Sequence, residues 1–339
     1  MGREEIGGCV PEDRDAEPVR PFGTLTPDLY ALADWLATCR MATVAMESTG
    51  VSWIPVDEIL EARGFQVHLV HARPLKQVPG RQTDVKDGQW IQYLQTCGLL
   101  RGALRPEAAM CALRAHWRHR APWLDDRAAH IQPMQTAWQQ MHVPLPQVRT
   151  AITGPTGLAS IRALVAGERD PVHLAPCRDP RGAHSTAAIA QALTGHDRAE
   201  PVLALPHALA LDDVYTALVR ECEVAIERPF QAIMPVWDDD LPPLNRQPKA
   251  SSPSKHAPAY EARGRLYQLT GVDWVAIPGL HASTGQTLVA EIGLDLGKWP
   301  HEQAFCAWLG LAPRHEISGG HVWCRSTLQT RHRAGQAVR

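Results

Sequence analysis

Several features that would assign this chain quickly are missing. Its 339 residues hold eight cysteines, at positions 9, 39, 97, 111, 177, 222, 306 and 324, and no two of them form a C-x-x-C pair. That scatter argues against a disulfide framework and against a zinc ribbon. His315, His321 and Cys324 come nearest to a metal cluster, and their spacing fits no zinc motif. No apolar run approaches the roughly 18–20 residues that span a bilayer. Met1 to Arg20 is acidic and polar, unlike a secretory leader. A cytoplasmic protein is expected.

A surplus of positive charge is also missing, since the net charge is −2. The distribution is more informative than the sum. Residues 1–60 hold four Arg or Lys against eleven Asp or Glu. Residues 101–120 hold five arginines against Glu107, and residues 314–339 hold five against Glu316. Local basic patches of this kind can contact phosphates in a chain that is neutral overall. Solvated helix faces explain each patch equally well.

Four regions separate along the chain. Met41–Met46 reads as a short apolar strand ending at Glu47, and Trp53–Arg63 as a helix stopped at Gly64. Gln66–Val70 reads as a second strand and Asp84–Cys97 as a second helix closed by Gly98. Alternation of this kind predicts an α/β unit with parallel strands. Residues 106–234 read as helical, with Pro122 and Pro133 expected to interrupt a long helix between Arg105 and His142. A proline-rich linker follows over 235–262, and 263–339 reads as a further compact segment.

Three constellations carry chemistry. Glu47 sits where a strand ends, before Ser48-Thr49-Gly50, and ligands gather at the carboxyl ends of strands in open α/β sheets. Asp84 and Asp87 lie three apart at a helix start and share one face. Three converging carboxylates would supply hard oxygen ligands suited to Mg²⁺, and two such ions can clamp a phosphodiester. Asp84 also reads as a plain N-cap, with Asp87 favoured by the helix dipole. In the second constellation, Ile277-Pro278-Gly279-Leu280 precedes a small-residue helix whose free N–H groups could hold a phosphate. A packing corner without a ligand fits the same residues. The third is Ser318-Gly319-Gly320, sterically open as a nucleophile needs, although such a tripeptide by itself is far more often an ordinary loop.

Taken together these segments resemble the DEDD insertion-sequence transposases, the "one-ten" family of bacterial mobile elements. The resemblance rests on Val44-Ala45-Met46-Glu47-Ser48-Thr49-Gly50, on Val78-Pro79-Gly80-Arg81-Gln82-Thr83-Asp84-Val85-Lys86-Asp87 and on Gly98-Leu99-Leu100-Arg101-Gly102. It continues through Leu269-Thr270-Gly271-Val272-Asp273, Ile277-Pro278-Gly279 and Trp308-Leu309-Gly310-Leu311-Ala312-Pro313 to Ser318-Gly319-Gly320. It implies an α/β domain of RuvC (ribonuclease H-like) type over 1–105 and a mostly α-helical coiled-coil region over 106–234. Beyond the linker it implies a C-terminal transposase domain over 263–339 containing a helix–hairpin–helix.

By that resemblance Glu47, Asp84 and Asp87 are three of four acidic Mg²⁺ ligands, and Ser318 attacks the DNA phosphodiester. Arg81, Lys86, Arg101, Gly279 and Arg314 are the expected nucleic-acid contacts. The expected partners are DNA, a structured guide RNA and further copies of the chain in a dimer or tetramer. The family register places the first acid at or just before Met1, and similar sequences continue beyond Arg339. Gln82 stands where they usually carry Lys, and Ser52 where they carry Tyr. These departures lead to the expectation of a weak or inactive copy, truncated at both ends. A catalytically silent nucleic-acid-binding relic and a RuvC-like structure-specific nuclease stay open beside it.

Overall fold

The computed structural model describes residues 5–48, 50–70, 84–100, 102, 107–141, 154–174, 187, 190–191, 194, 199–235, 241–245, 257–319, 321–327 and 332–339. The chain forms two compact units, Met1–Arg105 and Pro106–Arg339. It is a mixed α/β protein, mostly helical, with small sheets.

The first unit opens with a hairpin of β1 (Glu5–Cys9) and β2 (Val19–Gly23), followed by α1 (Thr26–Thr38). The polar composition of the N-terminus hid these strands. Their registration rests on few apolar side chains, with Ile6 buried and glycines at 7 and 8. Gly8 is required by packing, because a Cβ there would lie 2.7 Å from the Trp35 ring. Asp15, in the hairpin loop, fastens the hairpin to the helix. Its carboxylate accepts from Trp35 Nε1 at 2.7 Å, from Glu17 N–H at 2.9 Å and from Arg20 at 3.0 Å. The first two of these bonds, helped by the Arg20 charge, hold its pKa below the usual carboxylate range.

Next come β3 (Thr43–Glu47), α2 (Trp53–Ala62), β4 (Gln66–Val70) and α3 (Asp84–Thr96). β3 and β4 pair in parallel with Thr43 opposite Gln66 and Glu47 opposite Val70. The expected strand–helix–strand–helix order is present, with its boundaries shifted by a residue or two. Gly64 takes a φ of +84°, which only glycine adopts without strain, and ends α2 as its position suggested. Leu29, Leu32 and Leu36 of α1 and Val56 and Leu60 of α2 share one core with Ile6, Met46 and Leu69. Each such buried side chain contributes about 1.5–3 kcal/mol.

The second unit is built on two long helices, α4 (Ala108–Gln140) and α7 (Ala199–Ala232). Between them in sequence lie α5 (Pro155–Val165) and the short α6 (Pro171–Leu174). Arg120 pairs with Glu223 at 2.5 Å and Arg127 with Asp212 at 2.8 Å, so α4 and α7 run antiparallel. α4 corrects one expectation: it passes through Pro122 and Pro133 without interruption. Each proline removes one N–H donor from the helix. That loss is offset by packing against α7, where Trp117, Met134 and Trp138 are buried and the two ion pairs stand on either side of Pro122.

α7 is also long and apolar enough to cross a membrane by length and composition, contrary to the reading that no segment approaches this. Here its buried Leu205, Leu209, Cys222, Ile226 and Phe230 enter the protein core.

The unit closes with α8 (Ala262–Thr270), a 3-10 turn (Trp274–Ala276), α9 (Ala282–Ile292), α10 (Glu302–Trp308), the hairpin β5 (Pro313–Ser318) and β6 (His321–Thr327), and α11 (Arg333–Ala337). Gly271 ends α8 in the left-handed region at φ +70°. The following Asp273 accepts two bonds from Arg263, at 2.6 and 3.0 Å, and that charged partner holds its pKa low.

Candidate functional site

The first unit positions its acids by strand alternation. Met46 lies in the core shared with α1 and α2, and Val44 packs against that core. Successive strand side chains point to opposite faces, so Thr43, Ala45 and Glu47 face the other side. The same logic holds in β1, where Ile6 joins that core and Cys9 faces away from it. On that far side stands α3, because a Cβ on Gly88 would lie 2.7 Å from Cys9 Sγ. Gly88 thus lets the first turn of α3 approach β1 closely. Burial raises the pKa of the Cys9 thiol.

Glu47 and α3 therefore share one side of the strands, and both line a cavity of about 820 Å³. Its wall includes Glu5 to Cys9 of β1, Thr43 to Glu47 of β3, and Asp87, Gly88, Ile91 and Gln92 of α3. Glu47 and Asp87 are both half-buried. The chain leaves β3 through Ser48, whose N–H and Oγ both donate to the Val70 carbonyl, at 3.1 and 3.2 Å. Gly50 at φ +69° then turns it into α2, and Trp53 Nε1 donates to the Gly50 carbonyl at 3.2 Å. This turn ties the end of β3 to β4 and holds Glu47 at the strand terminus.

Asp84 begins α3, as its spacing predicted, and its side chain lies outside the described residues. Among the described residues no three His, Cys, Asp or Glu side chains form a group able to hold a metal ion. Three described carboxylates line the cavity, Glu5 on β1, Glu47 on β3 and Asp87 on α3, and of these Glu47 and Asp87 are the half-buried ones. Hard oxygen donors of this type fit Mg²⁺ and suit softer ions poorly.

Other predicted site residues are distributed as follows. Arg81 and Arg101 lie outside the described residues, as do the side chains of Lys86, Arg314 and Ser318. Gly279 is exposed and takes φ +86° in the Pro-Gly turn before α9. His281 caps α9 without a side-chain hydrogen bond, and the helix packs tightly, with Gly285 against Trp274 and Leu266. Ser318 ends β5 opposite His321, and Gly319 at φ +58° makes the hairpin turn.

The basic cluster at 101–120 is corrected in part. Arg118 pairs with buried Glu291 at 2.5 Å, Arg120 with Glu223, and Arg114 donates to the carbonyls of Ala290 and Glu291 at 2.9 and 2.8 Å. These three guanidiniums hold the helical unit together rather than a phosphate.

Sequence reasoning also missed Asp57, a fully buried carboxylate among the apolar residues of α2. The signal was its position between Val56 and Leu60 on the inward face.

Comparison with known families gives two matches. A model described as Transposase, of the DEDD type, matches residues 15–143 and spans Glu47, Asp84 and Asp87. A second, described as Transposase IS116/IS110/IS902 family, matches residues 275–336 and spans Gly279 and Ser318. No curated protein matches the chain. By class, then, this is a transposase with an acidic α/β unit ahead of a helical one. It belongs to the IS110-type family of insertion-sequence transposases.

Proposed function

We propose that the chain cuts and rejoins DNA at a divalent-metal site formed by Glu47, Asp84 and Asp87, with Ser318 as the nucleophile. One observation carries this reading: Glu47, at the carboxyl end of a parallel strand, and Asp87, in the first turn of α3, line the same cavity on the same side of the strands. Two oxygen ligands from a strand end and a helix start suit Mg²⁺. A bound ion would supply charge stabilisation for a phosphodiester under attack.

The chain's own residues have separate tasks in this reading. The carboxylates fix the position of the cation, and the Ser48–Val70 bonds keep Glu47 in place. Ser318 sits beside a glycine turn that leaves room for a phosphate. Its hydroxyl oxygen gives up its proton and bonds to phosphorus, the bond to the leaving deoxyribose oxygen breaks, and that oxygen takes up a proton in exchange. A structured RNA from the mobile element selects the DNA by base pairing. The active form is a homo-oligomer in the cytoplasm.

The test is a cleavage assay with purified chain, Mg²⁺, element-derived RNA and plasmid DNA. A protein–DNA adduct stable in detergent is expected in low yield, because Gln82 and Ser52 depart from the family pattern, and it is absent in Ser318→Ala. Glu47→Gln and Asp87→Asn should reduce cleavage at least 100-fold, about 3 kcal/mol, while DNA binding persists. Cleavage that survives Ser318→Ala but not Glu47→Gln would identify a nuclease instead. DNA binding without any cleavage would identify a silent relic.

A further inference from the structure

We propose that the contact between Gly88 and Cys9 is a spacer that sets how far Asp87 stands from Glu47, and that this spacing selects a small hard cation over a larger one. It rests on the metal site proposed for Glu47, Asp84 and Asp87, and adds two positioning residues to it, neither of them a ligand.

β1 and β3 are fixed relative to one another from their buried side. Ile6 of β1 and Val10 just beyond it share a core with Met46 of β3 and Leu69 of β4. Alternation turns Cys9 and Glu47 to the opposite side. Glu47 belongs to this frame, because it pairs with Val70 and is followed by Ser48, which donates twice to the Val70 carbonyl. Asp87 rides on α3 instead, so its place depends on how closely that helix packs on the strands.

Gly88 sets that approach. A Cβ there would lie 2.7 Å from Cys9 Sγ and 3.9 Å from Cys9 Cβ. Non-bonded carbon atoms rest about 3.5–4.0 Å apart, so the first distance is a clash and the second an ordinary contact. Backbone conformation does not call for glycine at this position, which is helical and has no positive φ. Within a helix glycine is less favourable than alanine. Space for the Cys9 thiol is what Gly88 provides.

The consequence reaches the neighbouring acid. Relieving the clash by moving α3 takes a shift of about 1 Å, and Asp87, next in the chain, moves with it. Mg²⁺ holds oxygens at about 2.0–2.1 Å in a near-ideal octahedron, whereas Ca²⁺ accepts about 2.3–2.6 Å in flexible arrangements. Mn²⁺ shares the octahedral oxygen preference. A displacement of that size therefore breaks a site for the small ions and leaves one for the large ion.

The test is a Mn²⁺ titration of the full chain followed by electron paramagnetic resonance, with Ca²⁺ affinity read by displacement. Gly88→Ala should weaken Mn²⁺ binding at least tenfold and Ca²⁺ binding less than about threefold, with unchanged helical circular dichroism. Adding Cys9→Ala removes the clashing sulfur and leaves the 3.9 Å contact. That double variant should return Mn²⁺ affinity to within about threefold of the parent. A residue that served folding alone would move both cations together.

Parent-like Mn²⁺ binding in Gly88→Ala would overturn the proposal, because the thiol would then turn aside while α3 stayed in place. Parallel loss of Mn²⁺ and Ca²⁺, or a double variant that stays weak, would overturn it too. Should Gly88→Ala fail to fold, the double variant decides: folding with parent-like Mn²⁺ affinity supports the spacer, and anything less overturns it. A parent that binds no Mn²⁺ removes the metal site itself and the spacer with it, an outcome seen before any variant is made.

Discussion

The two units differ in where most of their described charged groups stand, although the α/β unit also matches Asp15 with Arg20. In the helical unit arginines and carboxylates are turned inward and matched: Arg120 with Glu223, Arg118 with Glu291, Arg127 with Asp212, Arg263 with Asp273. In the α/β unit Glu47 and Asp87 line a cavity instead. A matched buried pair fixes a fold, whereas the half-buried Glu47 and Asp87 are the residues to which the proposed function gives a cation. The difference explains why the sequence motifs of the first unit read as chemistry, while the arginine-rich stretch after residue 101 served structure.

The largest effect expected from this contrast lies in the helical unit. The side chains of Arg120 and Glu223 are only 4% and 8% exposed. Glu223→Ala leaves a buried guanidinium without its charge partner and should cost about 3–5 kcal/mol in denaturant unfolding. Trp138→Ala should cost a similar amount, about 3–5 kcal/mol, through the cavity it opens beside Met134 and Leu205. If Glu223→Ala were neutral, inward matching would not be what holds α4 to α7.

Next in size is a stabilising change. Pro133→Ala restores an N–H donor inside α4 and should stabilise the helical unit by about 1–3 kcal/mol, read as a higher midpoint in urea.

In the α/β unit, Glu47→Gln and Asp87→Asn should leave the thermal midpoint within about 3 °C of the parent, since site carboxylates contribute little to folding. A collapse of the fold in either variant would give these acids the same structural role as Glu223.

The smallest effect concerns acid. Asp15 and Asp273 have folded pKa values below the unfolded one, Asp15 mainly through hydrogen bonds and Asp273 through Arg263. The unfolded chain therefore takes up protons first as pH falls. The stability these groups contribute is complete above about pH 4 and lost as pH drops through their folded values. Asp15→Asn should lower the midpoint at pH 7 by a few °C and flatten its fall between about pH 4 and pH 2, measured by circular dichroism.

Much of the first unit was legible because its cues are local. Met41–Glu47, Gly64, Gln66–Val70 and the Asp84 helix start each announce themselves through apolar runs or a glycine cap. The hairpin β1–β2 was not legible, because its strands carry glycines, a proline and charges, and their pairing depends on Asp15 reaching Trp35 across the sequence. The continuity of α4 was hidden for a related reason. Proline reports a local cost, and the compensating contacts come from α7, about 100 residues away in sequence.

Of the candidate site, the residue types and their order could be read, but not that strand alternation and Gly88 bring Glu47 and α3 to one side. The inward use of Arg114, Arg118 and Arg120 was equally hidden, since their partners Glu223 and Glu291 lie far along the chain.

The most direct measurement is Mn²⁺ binding to the purified chain, followed by electron paramagnetic resonance, with Glu47→Gln and Asp87→Asn alongside. A tight Mn²⁺ signal in the parent is predicted, weakened at least tenfold in each variant while the helical circular dichroism is unchanged. Equal Mn²⁺ affinity in all three proteins would contradict the account, because the two carboxylates would then share a cavity without sharing a cation.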